Sequence, residues 1–485
     1  MKTLKEILPQ NYIRSISGNT DISVYGLTLD SRTVKDGFVF AAMHGTQTDG
    51  STYISSAIKN GASVIVCNNE YSNKDVVIIQ TDDVAKTIAL MAANFYDEPS
   101  THLDLVGVTG TNGKTTTASL LYQMFSHLGY VCGLIATTGI VINDEKIEAT
   151  HTTPDSITIN LLLDMMVKAG CEYAFMEVSS HAVVQDRIFG LNFKGGIFTN
   201  LTHDHLDYHK TFENYRDAKK GFFDHLDLEA FALTNIDDKN GKYMLQNSKA
   251  ARVSYSLESP ADFKAKILEY DIHGMQLIID DEEIFTTLTG KFNAYNLLAV
   301  YGAARMLEIP KIKALQALSM LHGVEGRFSA IRSNDNITGI VDYAHTPDAL
   351  ENILNAIKEI NTKHKKIITV VGCGGNRDKS KRPIMAKIAA SLSDHLIITS
   401  DNPRNEDPEE ILNEMELGLS FQQKKVALRI TDRRQAIKTA CMMANEGDII
   451  LIAGKGHEKY QEIAGVKHFF DDKIVLAEYL KERNT

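Results

Sequence analysis

The chain has 485 residues, which at about 150 residues per domain suggests about three domains, and its 44% hydrophobic and 23% charged residues are those of an ordinary globular protein. A formal net charge of −11, with no lysine–arginine block, argues against a nucleic-acid partner, though a small anion needs only a few local cations. No apolar run reaches the ~20 residues of a membrane span, and the opening MKTLKEILPQ lacks the apolar core and small-residue cleavage site of a signal peptide, so a cytoplasmic protein without a membrane partner is expected.

In chain order, short runs rich in Val and Ile alternate with segments of helical spacing, the pattern of parallel sheets covered by helices, and the predicted fold class is α/β. ASVIVC reads as a buried strand of a first unit, which closes near Pro99 in ANFYDEPSTHL. LDLVGVTG and GGIFTNL read as strands of a second unit, with TTTASLLYQMFSHLG and LLAVYGAARML as its helices. A polar stretch, RSNDNITG, opens a third unit with strands KIITVVG, DHLIITS and DIILIAG. The expected domains are 1–98, 99–331 and 332–485. Cys67, Cys132, Cys171, Cys373 and Cys441 are scattered and form no CxxC pair, so they read as small buried hydrophobes, not disulfides or zinc ligands.

The stretch VGVTGTNGKTTTASLL, 106–121, is a strand, a glycine-bearing turn and a helix. Gly110 and Gly113 let successive N–H groups of Thr111 and Asn112 turn toward an anion, the helix adds its positive end, and Lys114 adds a mobile charge. Thr115, followed by Thr116, is placed to offer a hydroxyl to Mg²⁺. The usual GxxxxGK[ST] spacing is not met, because position 108 is valine and Gly107 falls one residue early. The loop indicates ATP or GTP.

Glu177 ends an apolar strand in FMEVSSH, and parallel α/β sheets gather ligands at such ends. His203, Asp204, His205, Asp207 and His209 then crowd into seven residues. A polar loop of solvated histidines and a zinc hydrolase site are both open readings; Mg²⁺, which favours oxygen ligands and tolerates an imidazole, suits a chain that also carries a phosphate loop. In DNPR, 401–404, a proline stiffens a loop that carries a permanent cation, either a surface salt bridge or a reader of anions.

TGTNGKT, MEVSSH, NLTHDHLDYH, GCGGNRD, DNPR and GKGHE occur in the order found in the Mur ligase family, which the chain resembles from about residue 26 to residue 458. The resemblance implies a three-domain fold with a central P-loop-type parallel sheet and a Rossmann-like C-terminal domain. It implies ligation through an acyl phosphate, with ATP and Mg²⁺ as cofactors and a monomer as the working form. The nearest members add the third amino acid to UDP-N-acetylmuramoyl-L-alanyl-D-glutamate.

By the same matching, Lys219 in YRDAKKGFF is the lysine carbamylated to N6-carboxylysine, and with Glu177, His205 and Thr115 it would complete the metal shell; from the residues alone it reads as a solvated helix lysine. Catalytic roles fall to Lys114, Lys219, Glu177 and His205. Ser31, Thr152, Thr153, Ser179, Gln185 and Arg187 would hold the UDP-sugar dipeptide, although LDSR read without the family is an ordinary helix cap. Asn293 and Asn296 would meet adenine, one of them equally explained as a helix cap, while Arg327, Asp342 and His345 would lie near ribose and phosphates. Glu325 and Ser329 depart from the proline and glutamate expected beside that arginine.

Arg377, Asp401, Asn402, Pro403, Arg404, Gly454 and Glu458 would bind the incoming amino acid. An arginine in DNPR marks the members that add meso-diaminopimelate, whose far carboxylate it can pair bidentately, over those that add L-lysine. Folylpolyglutamate synthetase is a further alternative, but it lacks a UDP-binding first domain, whereas about a hundred residues precede the phosphate loop here. A P-loop GTPase or kinase would carry the usual glycine spacing and leave the histidine loop unexplained, and a metal hydrolase would need no ATP.

Overall fold

The computed structural model describes residues 2–45, 48–148, 151–202, 204, 206–361 and 364–483, with the side chains of 206 and 207 excepted. Packing divides the chain into two compact units: Met1–Gly110, Thr117–Thr199 and Glu213–Ser254 form one, and Thr111–Thr116, Asn200–Phe212 and Tyr255–Thr485 the other.

The first unit begins with a five-stranded sheet in the order Ile13–Ser17, Val77–Thr81, Ala62–Cys67, Phe38–Ala41 and Gly26–Thr28, parallel except for the first strand. Alternation along ASVIVC sends Val64 and Val66 into one core and Ile65 and Cys67 into the other, so helices cover both faces. Asp83 caps the covering helix Val84–Phe95 by accepting from the Lys86 amide at 3.0 Å.

The same unit holds a second sheet, ordered Glu145–Ile147, Gly139–Ile142, Cys132–Ala136, Tyr173–Glu177, Asp104–Thr109, Gly195–Phe198 and Phe231–Asn235. Its strands are parallel from Cys132–Ala136 onward, and an antiparallel hairpin closes the edge. Gly107, the glycine that misses the usual phosphate-loop spacing, is needed for packing. A Cβ there would sit 2.6 Å from the Phe222 ring and 2.9 Å from Phe193.

In the second unit the strands Phe263–Asp271, Gly274–Ile279 and Glu282–Thr286 form an antiparallel meander beside the helices Lys291–Met306 and Lys311–Ser319. A six-stranded sheet follows in the order Ser329–Arg332, Thr338–Asp342, Ile449–Ala453, Ile367–Val371, His395–Ile398 and Ala427–Arg429, with only the first strand antiparallel. Leu451 and Ala453 join the core under the helices Pro347–Ile360, Lys381–Leu392 and Pro408–Glu416. Ile450 and Ile452 face Arg433–Met443 and Asp472–Glu482. This is the expected α/β class. All five cysteines are buried and unpaired, as the sequence suggested. Among the described residues no helix is long and apolar enough to cross a membrane.

Candidate active site

Asp104–Thr109 delivers the phosphate loop at its carboxyl end, and the helix Lys114–His127 leaves from the other side. Gly110 and Gly113 have φ of 151° and 86°, values that side chains rarely adopt. The loop is pinned from the Asn200 segment, and here the expectation of two N–H groups turned toward an anion is not met: the amides of Thr111 and Asn112 donate to the Asn200 carbonyl at 2.8 Å and to its Oδ1 at 3.0 Å. Lys114 Nζ donates to the Thr111 carbonyl at 2.7 Å. Thr115 and Thr116 are buried, and Thr115 Oγ1 accepts from Arg327 Nη2 at 2.9 Å.

Arg327 lies over the Tyr343 ring at 4.6 Å. The departures at Glu325 and Ser329 leave its turn well supported: Glu325 pairs with Lys459 at 3.1 Å, and Ser329 begins a strand. Asp342 is occupied with backbone, accepting from the Phe328 amide at 2.7 Å and the Ala344 amide at 2.8 Å. Burial raises its pKa against the lowering by Arg327 and those amides. His345 is exposed as a residue, yet the surrounding protein and then the Lys381 ammonium push its pKa down to about 4. Its Nδ1 faces the Tyr343 carbonyl at 2.8 Å.

Neither asparagine caps the helix Lys291–Met306, because Gly290 holds the cap position. Asn293 instead donates back to the Thr289 carbonyl at 2.9 Å, and Asn296 donates to Asn293 at 3.3 Å. The helix-cap alternative is therefore set aside.

In the first unit, Glu177 ends the strand Tyr173–Glu177, and the Lys219 ammonium reaches the carboxyl end of the neighbouring strand Asp104–Thr109; each residue is 1% exposed. Glu177 Oε1 accepts from the Thr137 amide at 2.6 Å. Lys219, on the helix Phe212–Asp224, donates to the Gly110 carbonyl at 2.7 Å and lies 4.8 Å from the Tyr215 ring centre. It is not the solvated lysine that its local sequence suggests.

Beside them Thr153 Oγ1 donates to the Glu177 carbonyl at 2.7 Å and accepts from the Ser179 amide at 3.1 Å. Arg187 reaches the Thr153 carbonyl at 2.7 Å and Gln185 Oε1 at 2.7 Å, and Thr152 bonds Thr137 at 3.0 Å. The hydroxyls, amide and guanidinium matched to the dipeptide thus form one connected group. Ser31 lies in a turn, not at a helix cap, with its carbonyl accepting from Asn60 at 2.8 Å.

His203 and His205 lie outside the described residues, as does the Asp207 side chain. Among those described, no three His, Cys, Asp or Glu residues cluster as metal ligands. The donors matched to Mg²⁺ are mainly of another kind: a carboxylate, a hydroxyl and a lysine that must be modified to serve.

In the third sheet, the amino-acid motifs meet at the carboxyl ends of three parallel strands. Arg404 has φ 52°, donates from Nη1 to the Gly375 carbonyl at 2.8 Å, and stands 3.5 Å from Glu462. Arg377 is exposed. Asn402 donates to Glu458 at 2.7 Å, and Gly454, with φ 119°, leaves room for Asp401, whose Oδ2 lies 2.5 Å from where a Cβ would be. Burial and the Asp401 charge raise the Glu458 pKa, opposed by Lys455 and Asn402.

The chain matches the Mur ligase catalytic domain over residues 23–96, the Mur ligase middle domain over 108–304 and the Mur ligase glutamate ligase domain over 326–456. A relative from Bacteroides fragilis named UDP-N-acetylmuramoyl-L-alanyl-D-glutamate–2,6-diaminopimelate ligase is 56% identical over 98% of both chains. The chain belongs to the Mur ligase family. A Cytophaga hutchinsonii relative of the same name is 52% identical over 98% of this chain and 99% of its own. A solved structure of a ligase of that name has a TM-score of 0.70 at 33% identity, covering 100% of this chain and 99% of the other. A Thermotoga maritima MurF ligase in complex with ADP shares the fold, with a TM-score of 0.64 at 20% identity over 95% of this chain and 98% of that one.

As a Mur ligase the chain is an ATP-dependent enzyme that forms an amide bond. The motif matching passed over Lys455, the second residue of GKGHE, which is fully buried. Its Nζ lies 3.1 Å from Asn402 Oδ1, 3.3 Å from Glu458 and 3.9 Å from Asp401. A lysine two residues past the buried strand IILIA, flanked by glycines, was the available signal. The buried Arg382 and its partner Glu406 gave no such signal.

Proposed function

We propose that this Mur ligase joins meso-diaminopimelate to UDP-N-acetylmuramoyl-L-alanyl-D-glutamate in peptidoglycan precursor synthesis, as a cytoplasmic monomer with domains near 1–98, 99–331 and 332–485. The names of relatives 52–56% identical over nearly the whole chain support the substrates. A carboxylate is a poor electrophile, so the γ-phosphoryl group of ATP first converts it to an acyl phosphate and ADP departs. The amine then attacks the carbonyl, loses a proton and expels phosphate from a tetrahedral intermediate. Lys114 and the positive end of the helix it opens neutralise phosphate charge, Arg327 adds a second cation, and Thr153, Gln185 and Arg187 hold the dipeptide acid. Glu177, Thr115, His205 and a carbamylated Lys219 would hold Mg²⁺, for which carboxylate, hydroxyl and carbamate oxygens are suitable hard ligands. That ion would supply charge neutralisation at the phosphates.

The observation that carries the choice of amino acid is Arg404, a guanidinium held at the end of the third sheet with its side chain only 21% exposed. A carboxylate at the far end of diaminopimelate pairs with it; L-lysine leaves it without that partner, a penalty of several kcal/mol. The test compares kcat/KM for the two amino acids in wild type and Arg404→Ala. Wild type should strongly prefer meso-diaminopimelate, and the variant should lose about 100-fold or more of that activity with the KM for ATP little changed. Equal use of both amino acids by wild type would refute the reading.

A further inference from the structure

Behind the DNPR loop lies a layer of charge to which the proposed reaction assigns no role. Arg382 lies in the first turn of the helix Lys381–Leu392 and is fully buried. It grips both oxygens of Glu406, at 2.9 and 3.0 Å, and also reaches Glu414 at 2.7 Å and the Gly374 carbonyl at 3.3 Å. Glu406 in turn accepts the amide of Asn376. The Gly374–Gly375–Asn376 turn and the DNPR loop are in contact backbone to backbone: a Cβ on Gly375 would lie 1.9 Å from the Pro403 carbonyl oxygen. The Gly375 amide donates to the Asn402 carbonyl at 2.9 Å, and Asn405 donates to Asn376 at 3.2 Å. Asn376 and Arg404 both have left-handed backbones, φ 53° and 52°, which non-glycine residues keep only where their surroundings impose it.

We propose that Arg382 and Glu406 are positioning residues for amino-acid selection: they fix the turn whose Gly375 carbonyl aims the Arg404 guanidinium. The proposal rests on the reading of Arg404 as the group that recognises the far carboxylate. Glu406 holds the Asn376 amide, Arg382 holds Glu406 and the Gly374 carbonyl, and between them the Gly375 carbonyl is left facing Arg404 Nη1 at 2.8 Å. Bidentate pairing with a carboxylate depends on the plane and direction of the guanidinium, and misplacement by about 1 Å can cost about 100-fold in rate. A pair that served stability alone would affect every amino-acid substrate alike. This one should act on the substrate that needs Arg404.

The test measures kcat/KM for meso-diaminopimelate and for L-lysine, with KM for ATP and the melting temperature, in wild type, Glu406→Gln, Arg382→Lys and Glu414→Gln. Glu406→Gln should lose about tenfold for meso-diaminopimelate, mainly through KM, while L-lysine and ATP change by less than about twofold. Arg382→Lys keeps the charge but cannot grip both Glu406 oxygens and the Gly374 carbonyl together, so it repeats the effect and carries the test if Glu406→Gln does not fold. Glu414→Gln weakens one outer contact of Arg382 but leaves its grip on Glu406 and the Gly374 carbonyl in place, and should lower the melting temperature without changing the substrate ratio. A selective wild type whose folded Glu406→Gln or Arg382→Lys loses both amino acids by the same factor would overturn the positioning role. An indifferent wild type would overturn the reading of Arg404 instead.

Discussion

Replacing Lys455 by methionine removes the buried counter-ion of Asp401 and Glu458 while keeping most of its volume. At separations of 3.3 and 3.9 Å, the two pairings correspond to about 5 and about 4 kcal/mol of gross attraction at an effective dielectric constant near 20. Desolvation of a fully buried ammonium offsets much of that in the wild type. In the variant, two largely buried carboxylates remain side by side without a cation, and breaking a buried pair in this way costs about 3–5 kcal/mol. The Glu458 pKa is already raised, and losing the ammonium raises it further. A raised folded-state pKa means that the native protein binds protons the unfolded chain does not. The defect is therefore largest at neutral pH and shrinks as pH falls through that raised value toward the ordinary glutamate value of 4.5. Hydrogen exchange of peptides covering Ile449–Ala453 reads the local opening free energy directly. A loss below about 1 kcal/mol at neutral pH, or one that grows on acidification, would refute the argument.

Lys114→Ala should fold normally, as read by circular dichroism, yet lose about 100-fold or more of ADP release in the presence of both co-substrates; near wild-type turnover would remove the loop lysine from the mechanism. Lys219→Ala should lose activity that bicarbonate does not restore and that a short carboxylic acid at high concentration restores in part. Mass spectrometry showing an unmodified Lys219 in fully active, metal-loaded enzyme would contradict the carbamylated ligand.

Local patterning made the scaffold legible. Strands such as KIITVVG and DIILIAG are short and apolar on both faces because helices cover both faces, and Ile449–Ala453 and Ile367–Val371 lie where those runs fall. The phosphate loop was legible because glycine at φ > 0, a preceding strand and a following helix are all local features. Gly107 was ambiguous for the opposite reason: its need for a missing side chain comes from Phe222, which is remote in sequence. The same limit hid Arg382 and Glu406, which are 24 residues apart and follow no period. Lys219 shows the limit most directly. Its neighbours YRDA and KGFF suggest a solvated helix face, and only the fold brings its ammonium to a carbonyl 109 residues earlier in the chain.

The buried charges in the third sheet argue for geometry over stability. Arg433 and Asp472 pair at 2.7 Å with both side chains fully buried, and Arg433 also holds the Ala453 carbonyl at 3.1 Å, directly before Gly454. Lys455 lies between Asp401, Asn402 and Glu458, and Arg382 lies behind Glu406. Such pairs add little net stability, because desolvation cancels most of their attraction and apolar replacements of similar volume are often as good or better. Each of the three cations also fixes the carboxyl end of a strand or a loop matched to amino-acid binding, where an apolar side chain could fill the space but could not orient a carbonyl or a carboxylate. On the proposed reading, distinguishing two amino acids by one terminal carboxylate depends on that orientation. The chain carries a net charge of −11, and these few buried cations lie beside the loops that the proposed reading gives to the acidic end of the amino acid.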